Sequence, residues 1–449
     1  MENINFLQVR HKKDHMLHHK TRLKNKLEFM LIFGCVSFLA VLLRAADRYV
    51  VEPGTIADGN GGIYTSWDIA ATQIQWAVAA AESNATIFVS NGTYVLTNQI
   101  RTVYGTNITI RSVNGRTVTI VDGNREISSN RCFDLFTNAT LDGFTVRNGC
   151  AISARGGGVN ASASKIYNCR IENNVCSNND GGGVSLSVST ITNCQIVGNV
   201  STGGSGAGVY AYYGNIYACE IASNLASGTE VYGIGARASQ STISNCTIYA
   251  NRPDKCTNPY GGGICTYYNT TVRNCLIYGN RADKGGGGIW VYPGEGYTYI
   301  TRVQNCTIVS NYATGNGSGI FISGYYGSTN YVENTISYYN TGCSDSNLFY
   351  ASAHTGMYII AYSCIAPTSA VRANNNSINI LNIQTDPKFV NYTNGNCRLK
   401  TDSPCINNGT NQSWMTNAND LGGTQRIRYG TVDMGAYERV NEGTIYTVH

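Results

Sequence analysis

The chain has 449 residues, a net charge of +5, only 13% charged residues, 50 glycines and 31 tyrosines. So little charge with so much Gly, Asn, Ser, Thr and Tyr excludes a disordered or mainly helical protein and suits short strands joined by turns. Residues 1–46 carry eight Lys/Arg against three Asp/Glu, which leaves 24 of each sign in the rest of the chain and excludes a basic nucleic-acid footprint there.

Residues 1–46 read as an export signal. Basic residues from Arg10 to Lys26 precede a fifteen-residue run, Phe29 to Leu43, and the small Ala45 and Ala46 offer a cleavage site. The run is short of the roughly 20 residues that span a bilayer, so membrane contact is expected only through this segment, as an anchor, if it is not removed. The expected location is secreted or on the outer cell surface, an oxidising setting in which cysteines can pair.

Residues 47–98 read as an N-terminal cap with the first strands. A turn at Asp58-Gly59-Asn60 lacks the spaced ligands of a calcium loop and reads as a plain turn. A helix is expected over 69–81, because Ile74, Ala77, Val78 and Ala81 fall at i, i+3, i+4 and i+7. It would cover the open end of the stack built by the later residues. Strands are expected at 86–89 and 93–96.

Residues 99–380 read as a solenoid, and within them one phrase recurs between Asn168 and Asn311. It reads Asn168-Cys169-Arg170-Ile171, Asn193-Cys194-Gln195-Ile196, Ala218-Cys219-Glu220-Ile221, Asn245-Cys246-Thr247-Ile248, Asn274-Cys275-Leu276-Ile277 and Asn305-Cys306-Thr307-Ile308, with a degenerate copy at Asn334-Thr335-Ile336. The cysteines lie 25, 25, 27, 29 and 31 residues apart, and each phrase ends on a further asparagine, the first taken as Asn173. A period in this range means stacked structural repeats. Ahead of each phrase, a glycine cluster leads into an alternating strand, such as Val159 and Ala161 or Ile289 and Val291. A second apolar group (Ile166, Ile191, Ile216, Ile243, Val272) sits three residues before each Cys. Both groups face inward only if the chain turns a corner at the asparagine between them, and stacked corner asparagines would then bond to each other along the axis. The result is an all-β parallel β-helix with three short strands per coil. The cysteines read as small core residues rather than ligands. Cys397 with Cys405 is the candidate disulfide and Cys150 with Cys176 a second one.

These phrases resemble right-handed parallel β-helix repeat proteins of the pectin-lyase-like superfamily, in particular secreted bacterial ones. Near the end, Asp420-Leu421-Gly422-Gly423, Arg426 and Val432-Asp433-Met434-Gly435-Ala436-Tyr437-Glu438 resemble the choice-of-anchor Q module. The resemblance assigns that module to residues 381–440, before a tail at 441–449. In this reading Asp433 and Glu438 contact Arg426 or Arg428 and close the end of the solenoid.

Chemistry is sparse. Only His354 and His449 come after residue 46, and Glu172, Glu220, Glu230, Asp254, Asp283 and Glu295 are scattered, so no metal cluster, triad or paired carboxylates emerge. The outward positions of the strands after the glycine clusters are instead aromatic in the later coils: Tyr210, Tyr212, Tyr267, Trp290, Tyr292 and Phe321, with Arg237 among them. Such rings either stack on sugars or a protein partner, or pack under long loops. The expectation is an exported, non-enzymatic, monomeric binding protein for a polysaccharide or cell-surface component, without cofactor or metal. A polysaccharide lyase or glycoside hydrolase of the same fold is the alternative, and a structural envelope component the third reading.

Overall fold

The computed structural model describes residues 45–55, 62–294, 298–324, 327–351, 356–366 and 377–440. Residues 1–44 of the segment expected to be an export signal, the Asp58-Gly59-Asn60 stretch, His354 and the tail lie outside them. Within the described residues, strands one coil apart pair in parallel and in register, building sheets of thirteen, eleven and ten strands. One coil runs through Val159–Ser162, Lys165–Tyr167 and Arg170–Glu172, with one strand in each sheet. Five coils add a fourth strand, such as Val175–Ser177, and so make a five-stranded sheet beyond the expected three. The last two strands of that sheet, Leu225–Tyr232 and Arg252–Tyr260, lengthen to 8 and 9 residues.

The N-terminal helix is shorter than its periodicity suggests, Ile74–Ala80. Ala71 is taken by a parallel bridge to Val50: its N–H donates to Tyr49 O and its carbonyl accepts from Val51 N, both at 2.9 Å. Those groups are therefore unavailable to a helix. Ile74, Ala77 and Val78 are buried against the first coil, as their spacing requires.

The interior is a set of stacked columns. Ile166, Ile191, Ile216 and Ile243 sit in register on one side, and Ile171, Ile196, Ile221, Ile248 and Ile277 on another, all fully buried. The corner before each Cys has positive φ: 52° at Asn168, 53° at Asn193, 56° at Asn245, 57° at Asn274 and 49° at Asn305. Ala218 adopts 49° at the same place, so the corner is a backbone requirement that asparagine meets best. The expected corner ladder exists only in pieces. Asn193 Nδ2 donates to Asn168 Oδ1 at 2.7 Å, Asn274 Nδ2 to Asn245 Oδ1 at 2.5 Å and Asn334 Nδ2 to Asn305 Oδ1 at 3.2 Å, with Ala218 interrupting after Asn193.

The continuous ladder is built by the asparagine that ends each phrase. It begins at Asn174, while Asn173 takes a positive-φ corner that Gly198 and Gly279 occupy in other coils. Asn174, Asn199, Asn224, Asn251, Asn280, Asn311 and Asn340 are all buried. From Asn174 to Asn311, each donates its backbone N–H and one Nδ2 proton to Oδ1 of the next, at 2.9–3.1 Å. The other Nδ2 proton goes to a backbone carbonyl one coil back, for example Ile221 O from Asn251. Every donor of the amide is thus used inside a dry core.

The cysteines also do more than fill space. Cys169, Cys194, Cys219, Cys246, Cys275 and Cys306 are buried, and each thiol donates to the carbonyl two residues earlier, at 3.0–3.4 Å. In the next coils the hydroxyls of Thr335 and Ser363 make the same bond. The column therefore caps a corner carbonyl with a small donor, which explains Thr335 in the degenerate phrase. Burial pushes the Cys169 and Cys194 thiols up, so they stay protonated and unreactive.

The C-terminal module docks on the flank, not on the end. Phe389, Leu399, Cys397, Cys405 and Met434 pack on Leu276, Val309, Ile336 and Cys364, outward residues of the eleven-stranded sheet. Ile336 is in register with the outward Thr307, and Ser337 takes the inward place next to it, so the degenerate phrase keeps Asn334 and Thr335 in place and carries its isoleucine one position early, on the outward side. Fully buried Arg426 anchors the module: its guanidinium donates to Glu438 Oε1 at 2.6 Å, to Gly435 O at 2.8 Å and to Asn274 Oδ1. The corner asparagines are recruited too, Asn274 Nδ2 donating to Asn419 O and Asn334 Nδ2 to Thr410 O. Glu438 braces Arg426, as expected, and Asp433 accepts from Asn407 and Arg439 within the module; Arg426 then reaches the side of the coils, which corrects the expectation that the two carboxylates close the end of the solenoid. Arg428 lies over Tyr429 instead.

Neither candidate disulfide is formed. Cys397 and Cys405 are both free thiols; Cys150 lies opposite Val175 while Cys176 lies opposite Ala151, so the two thiols leave opposite faces of their sheet.

The two asparagine columns should differ in their weight on stability. Asn251→Ala removes the acceptor for Asn224 N and Nδ2 and the donor to Ile221 O, and should cost about 3 kcal/mol or more in denaturant unfolding. Asn193→Ala, at a corner where Ala218 is tolerated, should cost about 1 kcal/mol. The module anchor should in turn make stability depend on pH. Burial pushes Glu438 up from 4.5 to about 7, against the opposing pull of Arg426. Because the folded state holds this proton more tightly than the unfolded one, stability is fully present below about pH 4.5 and is lost as pH rises to about 7. The loss is on the order of 3 kcal/mol. Unfolding of the wild type at pH 5 and pH 8, with Glu438→Gln as the variant in which the difference disappears, checks this.

Candidate functional site

The outward face of the ten-stranded sheet carries three parallel columns one coil apart. Register places Asn160, Ser185, Tyr210, Arg237, Cys265, Trp290 and Phe321 in one column, and Ser162, Ser187, Tyr212, Ser239, Tyr267 and Tyr292 in the next. The third comes from the residue before each glycine cluster: Arg155, Asp180, Ser205, Tyr232 and Tyr260, linked because the following glycine N–H donates to the carbonyl one coil on. Tyr232 and Tyr260 end the two long strands of the five-stranded sheet, which raise this column into a wall beside the sheet.

At the later coils the wall closes over the floor. Trp290 is stacked on Tyr260, with ring centroids 4.6 Å apart, and lies 5.2 Å from Tyr232. Its indole N–H donates to Ser323 Oγ at 2.8 Å, and Trp290 and Phe321 are only 6% and 8% exposed. Gly285 continues the wall where a Cβ would stand 2.8 Å from the Phe321 ring, so the absence of a side chain lets Phe321 fold against Tyr260. For Cys265, Trp290 and Phe321 the packing reading therefore holds: they form a second, outer core.

The rings that stay accessible lie on the other side. Tyr212 is 40% exposed and stacks edge-on with Tyr213, also exposed. Tyr267 and Tyr292 are half-buried, 4.9 Å apart. Between them and the wall lies Arg237. Its guanidinium sits 4.5 Å from the Tyr267 ring, 5.5 Å from Tyr210 and 5.9 Å from Tyr232, and 3.7 Å from Asp180 Oδ1. Arg155 covers the opposite face of this group, 4.6 Å from Tyr210 and 3.7 Å from Asp180 Oδ2. Arg237 Nε and Ser239 Oγ are buried on the floor with no hydrogen-bond partner in the protein. Burial, reinforced by a hydrogen bond to Glu230 Oε2 at 2.8 Å, pushes the Tyr232 hydroxyl up to about 12.

Repeat spacing puts Tyr210, Tyr212, Arg237, Tyr267, Trp290, Tyr292 and Phe321 onto one face, and the structure places all seven there. Spacing within the strands misses Arg155, Asp180, Tyr232 and Tyr260. A signal for them exists: these residues immediately precede glycine clusters, and Arg155 and Asp180 are one repeat period apart. Among the described residues no group of three or more His, Cys, Asp or Glu is arranged to hold a metal ion.

Among known proteins, the family model for the right handed beta helix region matches residues 127–304. The chain is similar to the solved structure of pectate lyase Pel9A, at 17% identity and a TM-score of 0.48 over 88% of this chain and 97% of that one. It is similar to a rhamnogalacturonan lyase at 14% identity and a TM-score of 0.45, over 77% and 91%. It is similar to XylC in complex with xylose at 10% identity and a TM-score of 0.37, over 76% and 87%. At these identities the likeness carries nothing about chemistry. No curated protein matches the chain.

The packing difference between the rings is measurable. Trp290→Ala should lower stability by about 3–4 kcal/mol in denaturant unfolding, whereas Tyr212→Ala should stay within about 0.5 kcal/mol of the wild type.

Proposed function

We propose that this right-handed parallel β-helix is an exported saccharide-binding protein that holds a polysaccharide along the trough over Tyr210, Arg237, Tyr267 and Tyr292. The observation that carries the reading is the row of accessible rings at Tyr212, Tyr267 and Tyr292 beside the Arg237 guanidinium, whose side chain is 25% exposed. Sugar rings present apolar faces that stack on aromatic side chains, and hydroxyls that accept from a guanidinium. The coil spacing of about 4.8 Å sets these groups in regular rows along the axis, which suits a linear polymer.

A second reading, cleavage of that polymer by a lyase or glycoside hydrolase, is supported by one observation. Asp180 and Arg237 face each other in the trough at 3.7 Å, and Glu230 is held on the same wall by Tyr232. Acid–base cleavage of a glycoside needs two carboxylates about 5–9.5 Å apart across the bond.

Affinity electrophoresis of the full chain in a panel of polysaccharides tests both. Retardation by at least one polymer is expected, weakened about tenfold by Tyr212→Ala or Tyr292→Ala. Migration unchanged by every polymer would sink the binding reading. Release of reducing or unsaturated ends from a retained polymer, lost in Asp180→Asn, would replace it with the second.

A further inference from the structure

We infer that the polymer held along the trough is an uncharged β-1,4-linked chain such as a glucan or mannan, and that the tyrosine pairs Tyr212-Tyr213 and Tyr267-Tyr268 are two equivalent subsites for it. The inference rests on the saccharide-binding reading above. The pairs recur at the same place in alternate coils. Tyr212, Ser239 and Tyr267 are in register. The corner residues that follow them, Tyr213, Gln240 and Tyr268, stack as well, because Tyr213 N–H donates to Ser239 O at 2.9 Å and Gln240 N–H to Tyr267 O at 3.2 Å. In each pair one ring stands across the other, at 81° with centroids 4.6 Å apart in the earlier coil and at 68° and 6.1 Å in the later one. Such an angle receives the face of a sugar on one ring and its edge on the other. Tyr212 and Tyr213 are exposed; Tyr267 and Tyr268 are half-buried, with Tyr299 bracing Tyr268 at 4.6 Å.

The fold does not ask for the corner rings. Each of these coils takes a positive φ there: 48° at Ala163, 51° at Val188 and Tyr213, 50° at Gln240 and 54° at Tyr268. Asparagine or glycine meets that angle with least strain, and a large side chain gains nothing from it. The spacing of the pairs selects the polymer. Two coils separate them by about 10 Å. A pyranose in an extended chain is about as long as one coil is thick, so the pairs lie two sugars apart. In a β-1,4-linked ribbon each sugar is turned half a rotation from the last, and the same face and edge return at that interval. An α-linked helical chain turns its faces away from a straight row. Residues 212–215, 239–242 and 267–271 contain no charged side chain, and Arg237 beside Tyr267 is answered by Asp180. The pairs therefore suit a sugar bearing hydroxyls alone.

The test is affinity electrophoresis of the full chain in gels containing hydroxyethyl cellulose, glucomannan, soluble starch or polygalacturonate. Retardation by the first two is expected, about tenfold stronger than by starch or polygalacturonate. Tyr213→Asn and Tyr268→Asn should each weaken it about tenfold. The denaturant midpoint of Tyr213→Asn should stay at the wild-type value, because asparagine suits the corner, so a loss of retention in that variant reports the ring and not the fold. Starch or polygalacturonate retaining the protein as strongly as the β-1,4-linked polymers would overturn the inference and leave saccharide binding standing. So would retention by those polymers that both asparagine variants keep in full. Migration unchanged by every polymer would remove both readings together.

Discussion

Parallel, in-register stacking is the constraint on which the rest of this molecule depends. Each strand finds its backbone partners only in the coils before and after it, so any polar group at an inner corner must be answered by the same position one coil away. The asparagines from Asn174 to Asn340 meet that demand by repeating themselves. An amide that donates to its copy and accepts from its copy is self-complementary along an axis, which no carboxylate or ammonium can be. The cysteine column obeys the same logic with a weaker donor, and it can be exchanged for Thr335 or Ser363 because what the corner needs is a short side chain bearing one hydrogen.

How much of this is legible in the sequence depends on whether a feature is periodic. The coil, its inward columns and the αL corners come from spacing, since a residue three places from another can share its side only through a bend. The identity of the true ladder is harder to read. Asn173 and Asn174 are adjacent, and only the Oδ1 contact to the next coil tells which one points in. The flank docking leaves a trace that spacing alone does not weigh. The outward residue of the Asn-Cys phrase runs Arg170, Gln195, Glu220, Thr247, Leu276, Thr307 and Ile336; the apolar Leu276 and Ile336 lie under the module, and Thr307 between them accepts Ala436 N–H. The helix loses its first turn to a bridge between Ala71 and Val50, a tertiary competition invisible to periodicity.

The face carrying the aromatic residues shows the same division. Register alone puts seven residues on one surface, but which rings are covered depends on two strands growing to 8 and 9 residues, an irregularity in loop length rather than in pattern. Those strands turn half the rings into packing and leave the other half as a surface. They also bring Tyr232 against Arg237 from outside the sheet. The trough is therefore rigid on its floor and on one side, since both are hydrogen-bonded sheet. A partner that fits it would lose little by ordering the protein.

Anchoring of the last module on the side of the coils bearing Asn274, Asn305 and Asn334 separates two kinds of length variation. A whole coil gained or lost before Cys246 would move the N-terminal end along the axis and leave every contact of the module in place. The same change between Leu276 and Ile336 would slide Arg426 and its partners out of register with the asparagines they bind. The module thus acts as a ruler for the three coils beneath it, and the chain is free to lengthen only on the other side.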